Sequence, residues 1–153
     1  MNILVTNDDG IYSSGIFALW ETAKEFGEVC VVAPESQKSA VGHGITISKP
    51  LFINSIKRSN GFEGYAVSGS PADCVKVGIK RVLYKKPDLI LSGINLGSNL
   101  GNNIIYSGTV AGALEGSMYH ISSIAFSVDS FEPRSFETSK HVIREVLKFL
   151  LKQ

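Results

Sequence analysis

Short apolar runs alternate with amphipathic helical patterns along most of the chain, and a parallel sheet with helices on both faces requires that alternation. Residues 3–6 form a continuous run that stops at Asn7-Asp8-Asp9-Gly10, a strand ending in a turn. From Ser14 onward Ile16, Leu19, Trp20, Ala23 and Phe26 recur at helical spacing, and Gly27 ends that helix. Residues 28–33, EVCVVA, are β-branched and closed by Pro34, so they read as a second buried strand. Residues 35–44 are polar and contain glycine, hence a loop. Residues 45–48, 51–56 and 62–67 are shorter mixed runs, and Asn60-Gly61 is a strong hairpin signal. The pattern predicts a small antiparallel excursion over 45–67.

Ser70-Pro71-Ala72-Asp73 combines an N-cap serine, proline at the first helical position and an acid three residues after the cap. A helix is expected from there to about residue 84. Residues 88–91 read as the next buried strand, opening into a stretch through Asn103 too rich in glycine and asparagine for regular structure. Ser107-Gly108-Thr109 starts a helix running to about residue 120, and residues 122–128 form a strand. The last helix, 137–151, turns Val142, Ile143, Val146, Leu147, Phe149 and Leu150 inward. No repeat or linker composition interrupts the series, so one α/β domain over residues 1–153 is expected.

Fifteen Lys and Arg against fourteen Asp and Glu leave a net charge of +1, which removes the electrostatic case for a DNA binder or a binder of anionic membranes. Any bound anion must be held by a local site. Cys30 and Cys74 lie among apolar neighbours without metal-ligand spacing, which suggests small buried hydrophobes in a reducing cytoplasm. The N-terminus lacks the pattern of a signal peptide, and no apolar stretch approaches the roughly 18 residues of a membrane span.

Loops at the carboxyl ends of parallel strands line one crevice, where ligands bind. Three such loops are loaded with oxygen: the first holds Asp8 and Asp9, the second Ser36 and Ser39, the third Ser92, Asn95, Asn99 and Asn102. Adjacent carboxylates repel each other and are costly unless a cation or hydrogen bonds offset the charge. With carboxylate, hydroxyl and amide oxygens on offer, Mg²⁺, Mn²⁺ or Ca²⁺ is favoured over zinc. Taken alone, Asp8-Asp9-Gly10 reads first as an Asp-Gly turn, and Ser107 as an ordinary N-cap. The start of the helix at Ser107-Gly108-Thr109 also offers free N–H groups and a positive dipole end to a phosphate. Convergence of the two features describes a metal-assisted phosphate site. Neither G-x-x-x-x-G-K-[ST], G-x-G-x-x-G nor G-x-S-x-G is present, so a kinase, a dehydrogenase or a serine esterase is poorly supported.

Five blocks in order, NDDG at 7–10, APESQKSAVG at 33–42, GSPADCV at 69–75, SGINLGSNLG at 92–101 and YSGTVAGALEG at 106–116, resemble the SurE family of stationary-phase survival proteins. The resemblance implies a Rossmann-like fold and a metal-dependent phosphatase acting on nucleoside monophosphates, a 5′/3′-nucleotidase assembled as dimers or tetramers. It implies one divalent ion per subunit, Mg²⁺ or Mn²⁺, with Ca²⁺ possible in crystals. By motif, the ligands would be Asp8, Asp9, Ser39 and Asn95, with Asp8 and Asp9 catalytic and phosphate held by Asn95 and the Ser107-Gly108-Thr109 helix start. Whether an aspartate attacks or activates water stays open. Family members continue through a further strand and an arm exchanged between subunits, which this chain lacks. Either a truncated product or a fragment is therefore expected, with a non-catalytic nucleotide- or phosphate-binding module as the alternative reading. Asp73 reads as a capping acid, Trp20 as core, Lys85-Lys86 as a solvated helix end and His43 as a lone histidine near the Ser39 loop; His120 and His141 carry no assignment.

Overall fold

The structure is a computed structural model that describes residues 1–132 and 135–152. Its strands are β1 (Asn2–Thr6), β2 (Glu28–Pro34), β3 (Ile53–Lys57), β4 (Glu63–Val67), β5 (Leu89–Leu96) and β6 (Ser122–Val128). The helices are α1 (Ser14–Ala23), α2 (Pro71–Val77), the single turn α3 (Asn103–Tyr106), α4 (Gly108–Met118) and α5 (Glu137–Leu150). The six strands lie in the order β3-β4-β2-β1-β5-β6, all neighbours parallel except the β3–β4 pair. This is the α/β architecture with its antiparallel excursion: the Asn60-Gly61 turn joins two strands in register from Ile53 opposite Val67 to Lys57 opposite Glu63.

Strand alternation divides the core into two layers. Ile3 and Val5 of β1, with Val31, Leu89 and Leu91, face Ile16, Leu19 and Ala23 of α1 and Ile143 and Leu147 of α5. Leu4, Val32, Val67 and Ile90 face Cys74, Val75 and Val77 of α2. Each large aliphatic side chain so buried contributes about 1.5–3 kcal/mol relative to exposure. Trp20 is core, edge-on to Phe62 with ring centres 5.2 Å apart. Helix α4 reaches the sheet through small residues: a Cβ on Gly112 would lie 2.9 Å from Ser92 Oγ and from Thr6 Cγ2, and one on Gly116 would meet Ile90 Cδ1 at 2.6 Å.

Four sequence expectations need correction. Residues 45–48 form no strand, because Asp73 captures them: its carboxylate accepts from Thr46 N at 3.0 Å and from Thr46 Oγ1 at 2.7 Å while closing the capping box with Ser70. The helix that starts with α2 does reach Val82, close to the expected end near residue 84, but beyond Val77 it changes to a π-helical turn, Gly78–Val82, beginning at a glycine that favours helix poorly. Strand β5 runs to Leu96 instead of stopping at Leu91, since Asn95 and Leu96 pair with Ser127 and Val128 after a register shift. Sheet pairing overrides the composition there, and the helical turn Asn103–Tyr106 begins where the stretch expected to be irregular ends. In α5 only Ile143 and Leu147 are buried, while Val142, Phe149 and Leu150 are exposed and Val146 is half-buried. Ion pairs Lys140–Glu21 at 2.9 Å and Arg144–Glu25 at 2.8 Å align α5 along α1, so one narrow stripe reaches the core.

Candidate metal and phosphate cleft

Strand β1 delivers the chain to a turn organised by Asn7, which is fully buried. The Asn7 Nδ2 donates to Gly10 O at 3.1 Å and to Ser13 Oγ at 2.9 Å, and its Oδ1 accepts from Gly10 N at 3.2 Å. Ser13 Oγ in turn accepts from Ile16 N at 3.3 Å and caps α1. Gly10 closes the turn at φ +94°, a conformation that favours glycine. Strand, turn and helix cap are thereby one hydrogen-bonded unit, and Asp8 and Asp9 ride on it.

Asp8 is buried against the first turn of α4. Thr109 donates its hydroxyl to Asp8 Oδ1, and the backbone N–H groups of Gly108 and Thr109 also favour the ionised form. Burial nevertheless dominates and holds the Asp8 pKa above the usual carboxylate range. A Cβ on Gly108 would fall 2.7 Å from Asp8 Cβ, so glycine permits this approach. For Asp9, burial and then the neighbouring Asp8 charge push the pKa up, only partly offset by Leu96 N, which donates to Oδ2 at 3.4 Å.

Asp8, Asp9, Ser39, Asn95, Asn99 and Ser107 line one cleft of about 470 Å³. The loop carrying Ser39 is tied to the carboxylate turn by Lys38 N, which donates to Asp8 O at 2.7 Å, and Gln37 Nε2 donates to Ser39 Oγ at 2.9 Å. Asn95 commits its Nδ2 to Gly97 O at 2.7 Å and Leu96 O at 3.3 Å. Of the helix start, Ser107 lines the cleft and caps Val110 N at 3.1 Å, whereas Gly108 and Thr109 are buried behind Asp8. Ser36, Ser92 and Asn102 are not among the lining residues, and Ser92 Oγ is buried without a partner beside Thr6 Oγ1. His43 turns away from the cleft and pairs at 2.7 Å with the buried Glu115 of α4. Sequence reasoning missed Asn7, although an Asn three residues before a glycine is an Asx-turn signal, and it missed the cleft aromatics: Tyr106, although it opens the 106–116 block, and Phe131, which no pattern in the sequence marks.

The donors fit a hard divalent cation. Two adjacent carboxylates, both raised in pKa, form no ion pair with a lysine, arginine or histidine among the described residues. No group of three or more His, Cys, Asp or Glu side chains gathers among the described residues, so the remaining ligands must be neutral oxygens and water. Such a set suits Mg²⁺ or Mn²⁺ and not zinc.

Residues 3–153 match the family model for survival protein SurE. A curated relative from Thermosipho melanesiensis, named 5′-nucleotidase SurE, is 55% identical over 148 residues, 97% of this chain and 58% of that protein. One of the same name from Syntrophobacter fumaroxidans is 44% identical over 153 residues, covering all of this chain and 61% of the relative. The crystal structure of SurE protein from Aquifex aeolicus superposes with a TM-score of 0.87 at 45% identity, covering 100% of this chain and 61% of that one. The chain thus spans about three-fifths of the length of these proteins. The family model and the superposed fold each extend over nearly the whole chain, and the chain belongs to the SurE family.

Proposed function

We propose that this chain carries the site of a divalent-metal-dependent phosphatase that hydrolyses nucleoside 5′- and 3′-monophosphates to nucleoside and phosphate. The observation that carries the reading is the pair of adjacent carboxylates, Asp8 buried and Asp9 half-buried, neither of them in an ion pair with a cationic side chain among the described residues. The names of the relatives support the choice of 5′-nucleotides.

Asp8 and Asp9 would hold Mg²⁺ or Mn²⁺ together with Ser39 and Asn95. The cation, when bound, supplies Lewis acidity at a phosphoryl oxygen and lowers the pKa of bound water. Asp8 is oriented by Thr109, and the amides of Gly108 and Thr109 steady its charge. Asp9, the more accessible carboxylate, would either attack phosphorus as the bond to the nucleoside oxygen breaks and that oxygen takes up a proton, or take a proton from the water that attacks in its place. Asn95 and Ser107 face the phosphate from opposite segments, with the α4 dipole behind them favouring added negative charge. Assembly as a dimer or tetramer and a cytoplasmic setting belong to the same reading; Cys30 and Cys74 are free thiols, with burial pushing Cys30 up to about 11.

Release of inorganic phosphate from adenosine 5′-monophosphate tests the proposal. Turnover should require Mn²⁺ or Mg²⁺, stop on chelation and return on adding the metal back. Turnover indifferent to chelation, or none at a metal concentration that calorimetry shows to be saturating, would overturn it.

A further inference from the structure

The cleft has two unlike sides. Its oxygen donors lie at the strand ends, while two aromatic rings, Tyr106 and Phe131, line the same space at 62% and 80% exposure. Among the described residues neither ring stacks on another aromatic. Both are nonetheless fixed to the segments that carry the oxygen donors. Gly97 N donates to Val128 O and to Ser130 O, both at 3.0 Å, which folds the chain after β6 back onto the end of β5. The Phe131 ring then rests where a side chain on Gly97 would stand, since a Cβ there would lie 2.7 Å from Cε1 and 3.0 Å from Cζ. Asn99 Nδ2 reinforces this seam by donating to Ser127 Oγ at 2.8 Å. Tyr106 immediately precedes Ser107, and its carbonyl accepts from Gly42 N at 3.0 Å, which ties it to the loop bearing Ser39.

Large apolar rings held open to water beside a charged site match a ligand with one anionic end and one flat aromatic end. We infer that Phe131, together with Tyr106, forms the nucleobase platform of this cleft and takes the base by stacking while the phosphate lies against the oxygen donors. The inference rests on the phosphomonoesterase reading and names what selects nucleotides from other phosphate esters. Stacking accepts any base because every base has a π-face, so the platform gives a preference for nucleotides over base-free sugar phosphates, strongest for the wider purines.

The test compares adenosine 5′-monophosphate with ribose 5-phosphate, which has the same ester without the base. In Phe131→Ala, kcat/KM for the nucleotide should fall about tenfold or more, mainly through KM, while ribose 5-phosphate is unaffected. Phe131→Trp should restore nucleotide turnover, and Phe131→Leu should not. Nucleotide and sugar phosphate falling together, or no fall for the nucleotide, would overturn the platform. Calorimetric binding of the two ligands separates this from the catalytic reading. If the wild type hydrolyses neither ester, the phosphatase assignment fails, yet the platform holds when the nucleotide binds more tightly and Phe131→Ala erases the difference. It fails when the two bind alike.

Discussion

Asp8 and Asp9 set the behaviour of the site at the scale of single residues. Burial raises both above the unfolded carboxylate value of about 3.9. Each therefore favours the folded state fully below that value, and the contribution is lost as pH rises through the folded pKa. Near neutral pH the pair is held at a cost that a bound cation would offset. Adding Mn²⁺ at neutral pH should raise the wild-type Tm by about 2–8 °C, and Asp8→Asn and Asp9→Asn should lose that shift together with phosphatase activity. Ser39→Ala and Asn95→Ala should keep a smaller shift and recover activity at high Mn²⁺, because neutral oxygens contribute less charge. An undiminished shift in any of these variants removes that residue as a ligand. Asp73 has the opposite sign. Its burial works against the charge, but hydrogen bonds from Thr46 and Ser70 outweigh it and hold its pKa below the usual range. Its stabilisation is present above about pH 3.9 and is lost as pH falls through the folded value. Urea titration of Asp73→Ala should show a loss of about 1–3 kcal/mol at neutral pH that shrinks in acid; a loss independent of pH would mean that the carboxylate charge plays no part.

Elements carry the site because α4 lies unusually close to the sheet, and Gly112 tests this. Helix propensity alone predicts that Gly112→Ala stabilises by about 1 kcal/mol. The contacts at 2.9 Å with Ser92 and Thr6 predict a loss of about 1–3 kcal/mol instead. Chemical denaturation decides the sign, and a more stable variant would show that α4 has room to spare. Much of this level was legible in advance. The boundaries of β1, β2 and β6, the Asn60-Gly61 hairpin and the Ser70-to-Asp73 cap follow from local chemistry that the fold does not override. The loops expected to meet do bring Asp8, Asp9, Ser39, Asn95 and Ser107 to one cleft. What was not legible depends on distant partners. The extension of β5 through Asn95 needs β6, the loss of a strand at 45–48 needs Asp73, and the burial of Gly108 and Thr109 behind Asp8 needs the approach of α4 to β1. Phe131 reaches the cleft only through the seam at Gly97, which carries no sequence periodicity.

In the molecule as a whole, β6 is the outer parallel strand among the described residues, and α5 beside it exposes Val142, Phe149 and Leu150. An unpaired edge next to apolar surface favours association. Sedimentation velocity of this 153-residue chain should show self-association that grows with concentration; a single monomer species throughout would contradict that expectation.

A cation at the strand ends is what the proposed chemistry requires, and anomalous diffraction from crystals of the chain grown with Mn²⁺ would locate it. The predicted result is one manganese peak bounded by carboxylate oxygens of Asp8 and Asp9, with Ser39 and Asn95 completing its protein ligands. A well-occupied peak elsewhere, with the Asp8–Asp9 cleft empty under conditions that support phosphate release, would contradict the account.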